Sequence, residues 1–409
     1  MDQKAGSKLI NILFMFLVFM MIMNFFTGEK KQETLIDGIH ITSTSTNYSV
    51  PDLPEVFVYN KTNVPLNYNT CKELEIYKNG QKIEKINEAA PTFCKDIMVN
   101  PQEKQKIDFS KKEDKLYTLF QQPGDFIYKL KIGDKEVIGT TKQVEKGFFG
   151  KFFYNIFYAP VFNLFVFIIQ TLPNHSLALA IILITLIVRF AILIPQNQIM
   201  VNGKKMQKIQ PKIKEIQDKH KGDQAKIGME LMELYKREQV NPAGACLPLL
   251  FQIPILLVLY WVISSIGQVT NIYYLYPFFS GFSTSIINYD LFGINLLSVG
   301  GKVGLIFAII IGIAQRLQMY LSMKKDKKTE EKQHKKDIAS GMPDMEMINK
   351  TMMFAFPVMI AFSTYYFPIG VGIYWFMSTI FSIVQQLYIN SSFKKNEEKT
   401  KNKGELITK

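Results

Sequence analysis

One arginine lies inside a long apolar stretch of this sequence, and it is the residue best placed to act on another molecule. The stretch, residues 177–194, reads LALAIILITLIVRFAILI. It is long enough for a helix that spans a bilayer core of ~30 Å. Arg189 lies ~6 Å beyond the midpoint of such a helix, at ~1.5 Å per residue. Neither this stretch nor any of the five other candidate spans contains Asp or Glu, so Arg189 has no acidic counter-ion within the spans and would attract an anionic or polar group supplied from outside the protein.

Two interpretations of Arg189 are open at the level of sequence. Its long side chain could snorkel from this depth to the lipid headgroups. Alternatively, it faces a hydrated site inside the protein. Thr185, four residues earlier, makes the same helical face polar, and another apolar turn follows Arg189. We therefore favour the internal site.

The other polar residues of the spans are uncharged. They are Thr185, Gln252 and, on one face of the last span, Tyr374, Ser378, Ser382 and Gln385. Such residues often serve only to bind membrane helices to one another. Together with Arg189 they would line a hydrated groove.

Several classes of chemistry are disfavoured by what the spans lack. Proton- or cation-driven transporters generally carry Asp, Glu or His within the membrane. The sequence has no Walker-type glycine-rich loop and no His pair at metal-binding spacing. Neither a protease dyad nor a metal or cofactor site is predicted, and we expect no bond chemistry.

The elements that position these residues follow from charge and hydropathy. The net charge is +13, and lysines are concentrated beside the apolar runs. This pattern indicates a multi-pass membrane protein with positive-inside topology that contacts anionic lipids, rather than a DNA-binding protein. The first apolar run, residues 9–26, exceeds a usual signal-peptide core of ~7–15 residues and has no small-x-small cleavage pattern, so we predict an uncleaved anchor. Both termini are then cytoplasmic.

Residues 28–146 alternate short β-rich runs with turn signals and predict a β-sandwich, which the predicted topology places outside the cytoplasm. Asn79-Gly80 and Gly133-Asp134 predict hairpins. Cys71 and Cys94 either form a disulfide or remain free thiols. No catalytic group is apparent in this region.

Residues 197–241 carry apolar side chains at spacings of three and four on two arms, which predicts a cytoplasmic helical hairpin. The full set of predicted segments is an anchor (1–27), the β-sandwich (28–146), an interfacial amphipathic helix interrupted at Pro160 (147–172), the second transmembrane helix (173–196), the hairpin (197–241), the third transmembrane helix (242–267), an external loop resting partly on the membrane (268–299), the fourth transmembrane helix (300–323), a cytoplasmic loop (324–350), the fifth and sixth transmembrane helices (351–390) and a basic cytoplasmic tail (391–409).

Four segments resemble the YidC family of membrane protein insertases. They are ITLIVR (184–189), MQKIQPKIKEIQDK (206–219), VNPAGACLPLLFQIPILLVLY (240–260) and YYFPIGVGIYWFMSTIFSIVQQ (365–386). The resemblance covers residues 148–393 in the family's order. It reaches residues 28–146 in position only.

The resemblance implies a six-span α-helical protein whose five-helix core encloses a hydrophilic groove open to the cytoplasm and the lipid. Arg189 would receive the polar part of a nascent membrane protein there, with Thr185 and the pair Tyr374 and Trp375 as substrate contacts. It implies insertion and folding of client proteins, alone or with the Sec translocon. The hairpin would recruit clients, and the basic tail would contact the ribosome.

Two alternative functions are also compatible with the sequence. A channel or transporter for a small solute would use the same polar residues as a pathway. A structural anchor that displays the β region would lose its function when residues 28–146 are removed, whereas an insertase would keep most of its activity.

Overall fold

The computed structural model describes residues 38–84, 92–111, 115–220, 223–241, 247–323 and 345–407. The predicted anchor (1–27), Cys246 and most of the predicted cytoplasmic loop (324–344) lie outside these residues. The chain forms two compact units, Met1–Phe149 and Gly150–Lys409.

The first unit is β-rich. Its described strands are β1 (Ile39–Ser43), β2 (Asn47–Ser49), β3 (Val56–Asn60), β4 (Leu66–Asn69), β5 (Leu74–Lys78), β6 (Gln81–Lys82), β7 (Asp96–Val99), β8 (Glu103–Lys106), β9 (Gly124–Ile132) and β10 (Lys135–Val144). They form a five-stranded sheet of order β2-β10-β9-β5-β6, a three-stranded sheet of order β1-β3-β8, and the pair β4-β7.

The two hairpins predicted from turn residues are confirmed. Asn79 and Gly80 join β5 to β6 with φ angles of 51° and 79°. These are the left-handed conformations that a two-residue hairpin turn requires and that Asn-Gly adopts readily. Gly133, at φ 59°, begins the turn between β9 and β10.

One hydrophobic cluster holds the strands together, with buried side chains from both sheets and from the β4-β7 pair. Gly139 in β10 allows a close approach to Ile41 in β1, because a Cβ at this glycine would overlap the Ile41 side chain. Cys71 and Cys94 are joined by a disulfide.

The second unit consists mainly of helices. They are α1 (Phe148–Thr171), α2 (Leu177–Ala191), α3 (Leu193–Lys219), α4 (Gln224–Arg237), α5 (Leu247–Ser265), α6 (Gly301–Met323), α7 (Met345–Tyr366) and α8 (Ile369–Ile407). Short turns and one hairpin, β11 (Asp290–Leu291) and β12 (Ile294–Asn295), connect α5 to α6.

Three of these helices are long and apolar enough to cross a membrane, namely α1, α6 and the part of α8 from Ile369 to Phe393. The bent pair α2 and α3 adds a fourth candidate span. The predicted third and fifth spans correspond to α5 and α7. Their apolar parts among the described residues, Gln252–Ser265 and Phe354–Tyr366, are shorter than 18 residues.

Helix α1 runs through Pro160, so the predicted break there is wrong. A wide turn at Tyr154–Tyr158 precedes the proline, and Ala159 N–H bonds to the Tyr154 carbonyl, five residues earlier. This local widening relieves the clash that proline causes with the preceding turn.

Helix α2 ends at Ala191, short of the predicted boundary at 196, and α3 leaves it at 65°. Pro195 provides the physical reason. Its ring would collide with the carbonyl four residues earlier, that of Ala191, and it has no N–H to donate. In the first turn of a new helix the same proline is tolerated.

The hairpin α3–α4 has the apolar faces that the periodicity predicted. Met206, Ile209 and Ile213 pack against residues of α4, including Ile227 and Leu231. Asp223 begins α4, and its carboxylate accepts a hydrogen bond from Lys226 N–H.

Helices α1, α2, α5 and α8 share the main apolar cluster of the unit. The tight turn predicted around Pro368 is confirmed, since α7 ends at Tyr366 and α8 begins at Ile369. A Cβ on Gly370 would lie 3.0 Å from Ile181 of α2 and 3.0 Å from Ile263 of α5. A larger residue would therefore force these three helices apart. Helix α8 continues past the predicted boundary at 390 and ends at Ile407.

Candidate functional site

Arg189 lies in the last turn of α2 and points into the helical unit, with 5% of its surface exposed. The residues near Arg189 on α2 are buried on one face of the helix and exposed on the other. Ile184 and Thr185 are buried, whereas Leu183 and Ile187 are at least 40% exposed. Leu183 and Ile187 therefore lie on the exposed outer face of α2, and Arg189 lies on the buried inner face. Snorkelling to a surface is not the conformation observed.

The guanidinium is held by three uncharged oxygens from three other helices. Its Nη1 donates to Gln196 Oε1 on α3 at 3.0 Å. Its Nη2 donates to Gln252 Oε1 on α5 at 3.3 Å and to Ser378 Oγ on α8. Gln252 Nε2 in turn donates to the Tyr374 hydroxyl at 2.7 Å. Arg189 thus lies where α2, α3, α5 and α8 meet.

No carboxylate among the described residues pairs with Arg189. A charged side chain within an inserted helix costs ~2.5–3.5 kcal/mol. Hydrogen bonds that involve a charged group contribute about 1.5–3 kcal/mol each. Three such bonds offset the penalty without neutralising the charge, so the cation can attract an anionic ligand.

Thr185 and Ser382 are buried close to this centre but bond to their own helices. Thr185 Oγ1 donates to the Ile181 carbonyl at 2.6 Å. Ser382 Oγ donates to the Ser378 carbonyl at 3.0 Å. Both add polarity to the walls beside Arg189 without holding its side chain.

Trp375 is not brought together with Arg189. It packs in a separate apolar cluster with Ile311 of α6 and Ile360 of α7, and its ring stacks on Phe367 at 6.3 Å. Neighbouring residues on a helix point ~100° apart, so Tyr374 and Trp375 face different helices.

Gln196, a partner of Arg189, was not among the residues predicted to form the groove; it was predicted only as the end of the second span. The amide pair beside it, in which Gln385 Nε2 donates to Asn197 Oδ1 at 2.6 Å, was also not predicted. Gln196 follows Arg189 by seven residues, a spacing that suggests a shared face. The bend at Ile192 determines where that face points.

A second buried polar pair lies on another face of α8. Thr379 Oγ1 donates to Gln315 Oε1 of α6 at 3.1 Å, and Gln315 also donates to Gln318 at 2.7 Å. These groups satisfy one another within the helix packing. No group of His, Cys, Asp and Glu side chains suited to a metal ion occurs in the part of the chain that the structure describes.

The arrangement suits recognition of charge or polarity rather than bond chemistry. It combines a buried cation, hydroxyls and amides within an apolar helical unit. A nucleophile paired with a base is not present among the described side chains around Arg189.

Comparison with known proteins gives one family. The family model described as "60Kd inner membrane protein" matches residues 168–397, more than half of the chain. The matched residues include Arg189 and all of its hydrogen-bond partners, and exclude the β-rich unit.

Curated relatives carry the name "Membrane protein insertase YidC". One from Wolinella succinogenes is 33% identical over 252 residues, which are 62% of this chain and 39% of that protein. One from Geobacter metallireducens is 29% identical over 226 residues, or 55% of this chain and 35% of that protein. One from Herminiimonas arsenicoxydans is 31% identical over 231 residues, or 56% and 36%. The chain thus aligns with less than half the length of these relatives.

Proposed function

Because this chain belongs to the 60Kd inner membrane protein family, whose curated relatives are named as YidC insertases, we propose that it inserts membrane proteins into the bacterial membrane. The single observation that carries the proposal is the buried Arg189 cation, whose hydrogen-bond partners among the described residues are uncharged oxygens.

The proposed task is to lower the barrier for a polar client segment. An unpaired polar group costs several kcal/mol in hydrocarbon. A client's carboxylate or polar backbone would exchange water for the Arg189 guanidinium and for the hydroxyls of Ser378 and Tyr374. The client's apolar segment would leave sideways into lipid. No bond is made or broken.

We further propose the topology in which this happens. Six spans place both termini in the cytoplasm and the β-rich unit, as a sandwich, in the periplasm. Five helices of the membrane core enclose a groove open to the cytoplasm and the lipid. We keep α1 as an interfacial helix, although its length also suits a span. In support, successive residues of α1 contact the end of α5 and then the following loop: Phe153 meets Trp261, Tyr158 bonds to Ser265, and Asn163 to Tyr274.

Partners follow from the same proposal. Nascent membrane proteins are the clients, and the protein acts on them as insertase and chaperone, alone or with the Sec translocon. The basic end of α8 suits ribosomal RNA phosphates, and the hairpin α3–α4 recruits clients. Lysines beside the spans contact anionic lipids.

The test measures insertion of a single-span client with an acidic translocated tail in cells depleted of other insertases. Arg189→Ala should lower insertion roughly tenfold or more, since a charge-assisted contact contributes about 1.5–3 kcal/mol. Arg189→Lys should keep part of the activity because it keeps the charge.

The matched control is Arg316→Ala, which removes an arginine from another apolar helix, where it lies over the Phe354 ring. Insertion should be nearly normal in this variant. Equal loss in both variants, or none in Arg189→Ala at normal protein level, would contradict the proposal.

A further inference from the structure

The segment that connects α5 to α6 presents large apolar side chains outward. Within residues 268–299 the sequence has no Lys or Arg and one acidic residue, Asp290. Two phenylalanines project furthest: Phe278 is 86% exposed and Phe292 is 96% exposed. The other exposed large apolar side chains of the segment are Tyr273, Tyr276, Ile286 and Val299.

Phe292 occupies a position that phenylalanine seldom takes. It lies with Gly293 in the two-residue turn between β11 and β12, at φ 54°. Asn, Asp or Gly is the usual residue at such a turn, because bulky side chains are strained at positive φ. The hairpin therefore carries an aromatic tip where folding alone favours a small polar residue.

The base of each tip is fixed to the helical unit. At the hairpin, Asn288 N–H donates to the His175 carbonyl at 3.1 Å, and Leu177 N–H donates to the Asn288 carbonyl at 3.0 Å. Near Phe278, the Phe279 ring packs on Phe167 of α1 at 6.5 Å. Both tips therefore flank the connection between α1 and α2, at the end of α2 opposite Arg189.

The exposed apolar surface continues from the loop onto the helices. Phe167 of α1 is 50% exposed, and Leu179 in the first turn of α2 is 43% exposed. Helix α2 is part of a membrane-spanning pair, so this outer face meets lipid. Tyr and Trp side chains favour the membrane–water interface, and Phe on the apolar face of an interfacial segment is buried at the headgroup–acyl boundary. The nearby carboxylate of Asp290 accepts from Gly293 N–H at 3.0 Å, and such a charge is tolerated at the boundary but not in the hydrocarbon.

We propose that Phe278 and Phe292 are two lipid anchors, which hold the α5–α6 loop in the headgroup–acyl boundary of the leaflet opposite the Arg189 end. The occupant of this surface is phospholipid, by continuity with the lipid-facing side of α2. The position of this loop in the membrane does not depend on which client the groove binds.

The test uses the full chain in nanodiscs of phosphatidylethanolamine and phosphatidylglycerol, with Cys246→Ala so that a single added cysteine carries a nitroxide label. Labels replace Phe278 or Phe292. Matched controls replace Val64 of the β-rich unit, 65% exposed, and Met232 of α4, 61% exposed. The ratio of collision rates with oxygen and with a water-soluble nickel chelate reports depth in the lipid.

We expect this ratio to be severalfold higher at positions 278 and 292 than at both controls. Ratios equal to those at Val64 would overturn the proposal. Dipolar broadening that disappears on dilution with unlabelled protein would also overturn it, by assigning the surface to a second copy of the chain.

An unlabelled change at the tip separates anchoring from folding. Phe292→Asn suits the positive φ, so thermal stability in detergent should be unchanged or higher. In nanodiscs the label at 278 should then become more accessible to the nickel chelate. If that label stays at its original depth, Phe292 is not an anchor.

Discussion

At the scale of the residue, the central feature is a cation whose partners, within the part of the chain that the structure describes, are neutral. Arg189 donates to two amides and one hydroxyl, so its position is fixed while its charge is retained. An internal carboxylate would fix it equally well but would compete with an acidic client. The proposed recognition of an acidic client therefore depends on the uncharged side chain of Gln252 as well as on the charge of Arg189.

The first prediction concerns Gln252→Glu. The new carboxylate would lie next to Arg189, whose Nη2 is 3.3 Å from the present amide oxygen, and would form an internal ion pair. Insertion of a client with an acidic tail should fall severalfold, whereas insertion of a client with an uncharged polar tail should fall less. Both are measured by protease protection of the translocated tail.

Gln315→Glu is the control for a carboxylate placed elsewhere in the helical unit. Gln315 is also buried, but it pairs with Thr379 and Gln318. This variant should lower protein stability without changing the preference between the two clients. The same preference shift in both variants would argue against competition at Arg189.

A second prediction at this scale lies in the β-rich unit. Glu75 accepts hydrogen bonds from Lys131, Lys82 and Tyr77, and these lower its pKa to about 2. An unfolded chain has a Glu pKa of ~4.3. The ionised carboxylate therefore stabilises the fold fully above ~pH 5, and this contribution disappears as the pH falls toward 2.

The measurement is hydrogen-exchange protection of the β5 amides in the native chain and in Glu75→Gln. The difference between the two chains should be constant from neutral pH to ~pH 5 and should shrink below it. Glu136→Gln, which removes a more exposed partner of Lys129, should give a smaller difference. A Glu75 difference that grows on acidification would refute the assignment.

At the scale of the element, the bend between α2 and α3 connects the α3–α4 hairpin to the polar centre around Arg189. Two consecutive residues after the bend bond inward, Gln196 to Arg189 and Asn197 to Gln385. The hairpin and the centre are thus joined by the first turn of α3. A change in the direction of α3 would release both hydrogen bonds together.

The third prediction is that Pro195→Ala straightens this junction. Restoring the N–H and removing the ring allows α2 to continue past Ala191. Spin labels at Leu179 and Lys214 should be roughly 45 Å apart with the 65° bend and roughly 52 Å apart in a straight helix.

Pulsed dipolar spectroscopy measures that distance directly. Pro211→Ala is the control, since Pro211 lies inside α3 and its replacement leaves the junction at Ile192 intact. An unchanged distance in Pro195→Ala would mean that packing, rather than proline, causes the bend.

At the scale of the whole molecule, the family match covers only one of the two compact units. The family match begins at residue 168 and leaves out the β-rich unit, whereas Arg189 and its partners lie entirely within the matched residues. Deleting residues 28–146 should therefore leave most of the insertion activity, provided that the chain still reaches the membrane.

That fourth prediction is tested by complementation in insertase-depleted cells, at matched protein levels. Combining the deletion with Arg189→Ala provides the control and should abolish the remaining activity. Complete loss with the deletion alone would support the alternative in which the helices merely display the β region.

The sequence predicted which faces of the helices are packed better than it predicted which residues of different helices contact one another. Periodicity gave the packed faces of α3 and α4, and turn residues gave the hairpins at Asn79 and Gly133. Because the predicted spans contain no Asp or Glu, Arg189 was predicted to be the central residue of the site. These features depend on local spacing and on backbone conformation, which a sequence records directly.

The features that the sequence did not predict depend on how the helices bend and pack against one another. Trp375 follows Tyr374, yet a rotation of ~100° per residue turns it toward α6 and α7. Gln196 reaches Arg189 only because the chain bends between them. The continuous path of α1 depends on a widened turn before Pro160, which has no signature in residue type.

The length of α8 has a mechanical consequence. Its 39 residues extend ~58 Å, roughly twice the thickness of a bilayer core. The portion beyond Phe393 is therefore a rod of ~20 Å rather than a tether. Because Ser378 lies on the same helix, a force applied at its C-terminal end would act as a torque on the helix wall that holds Arg189.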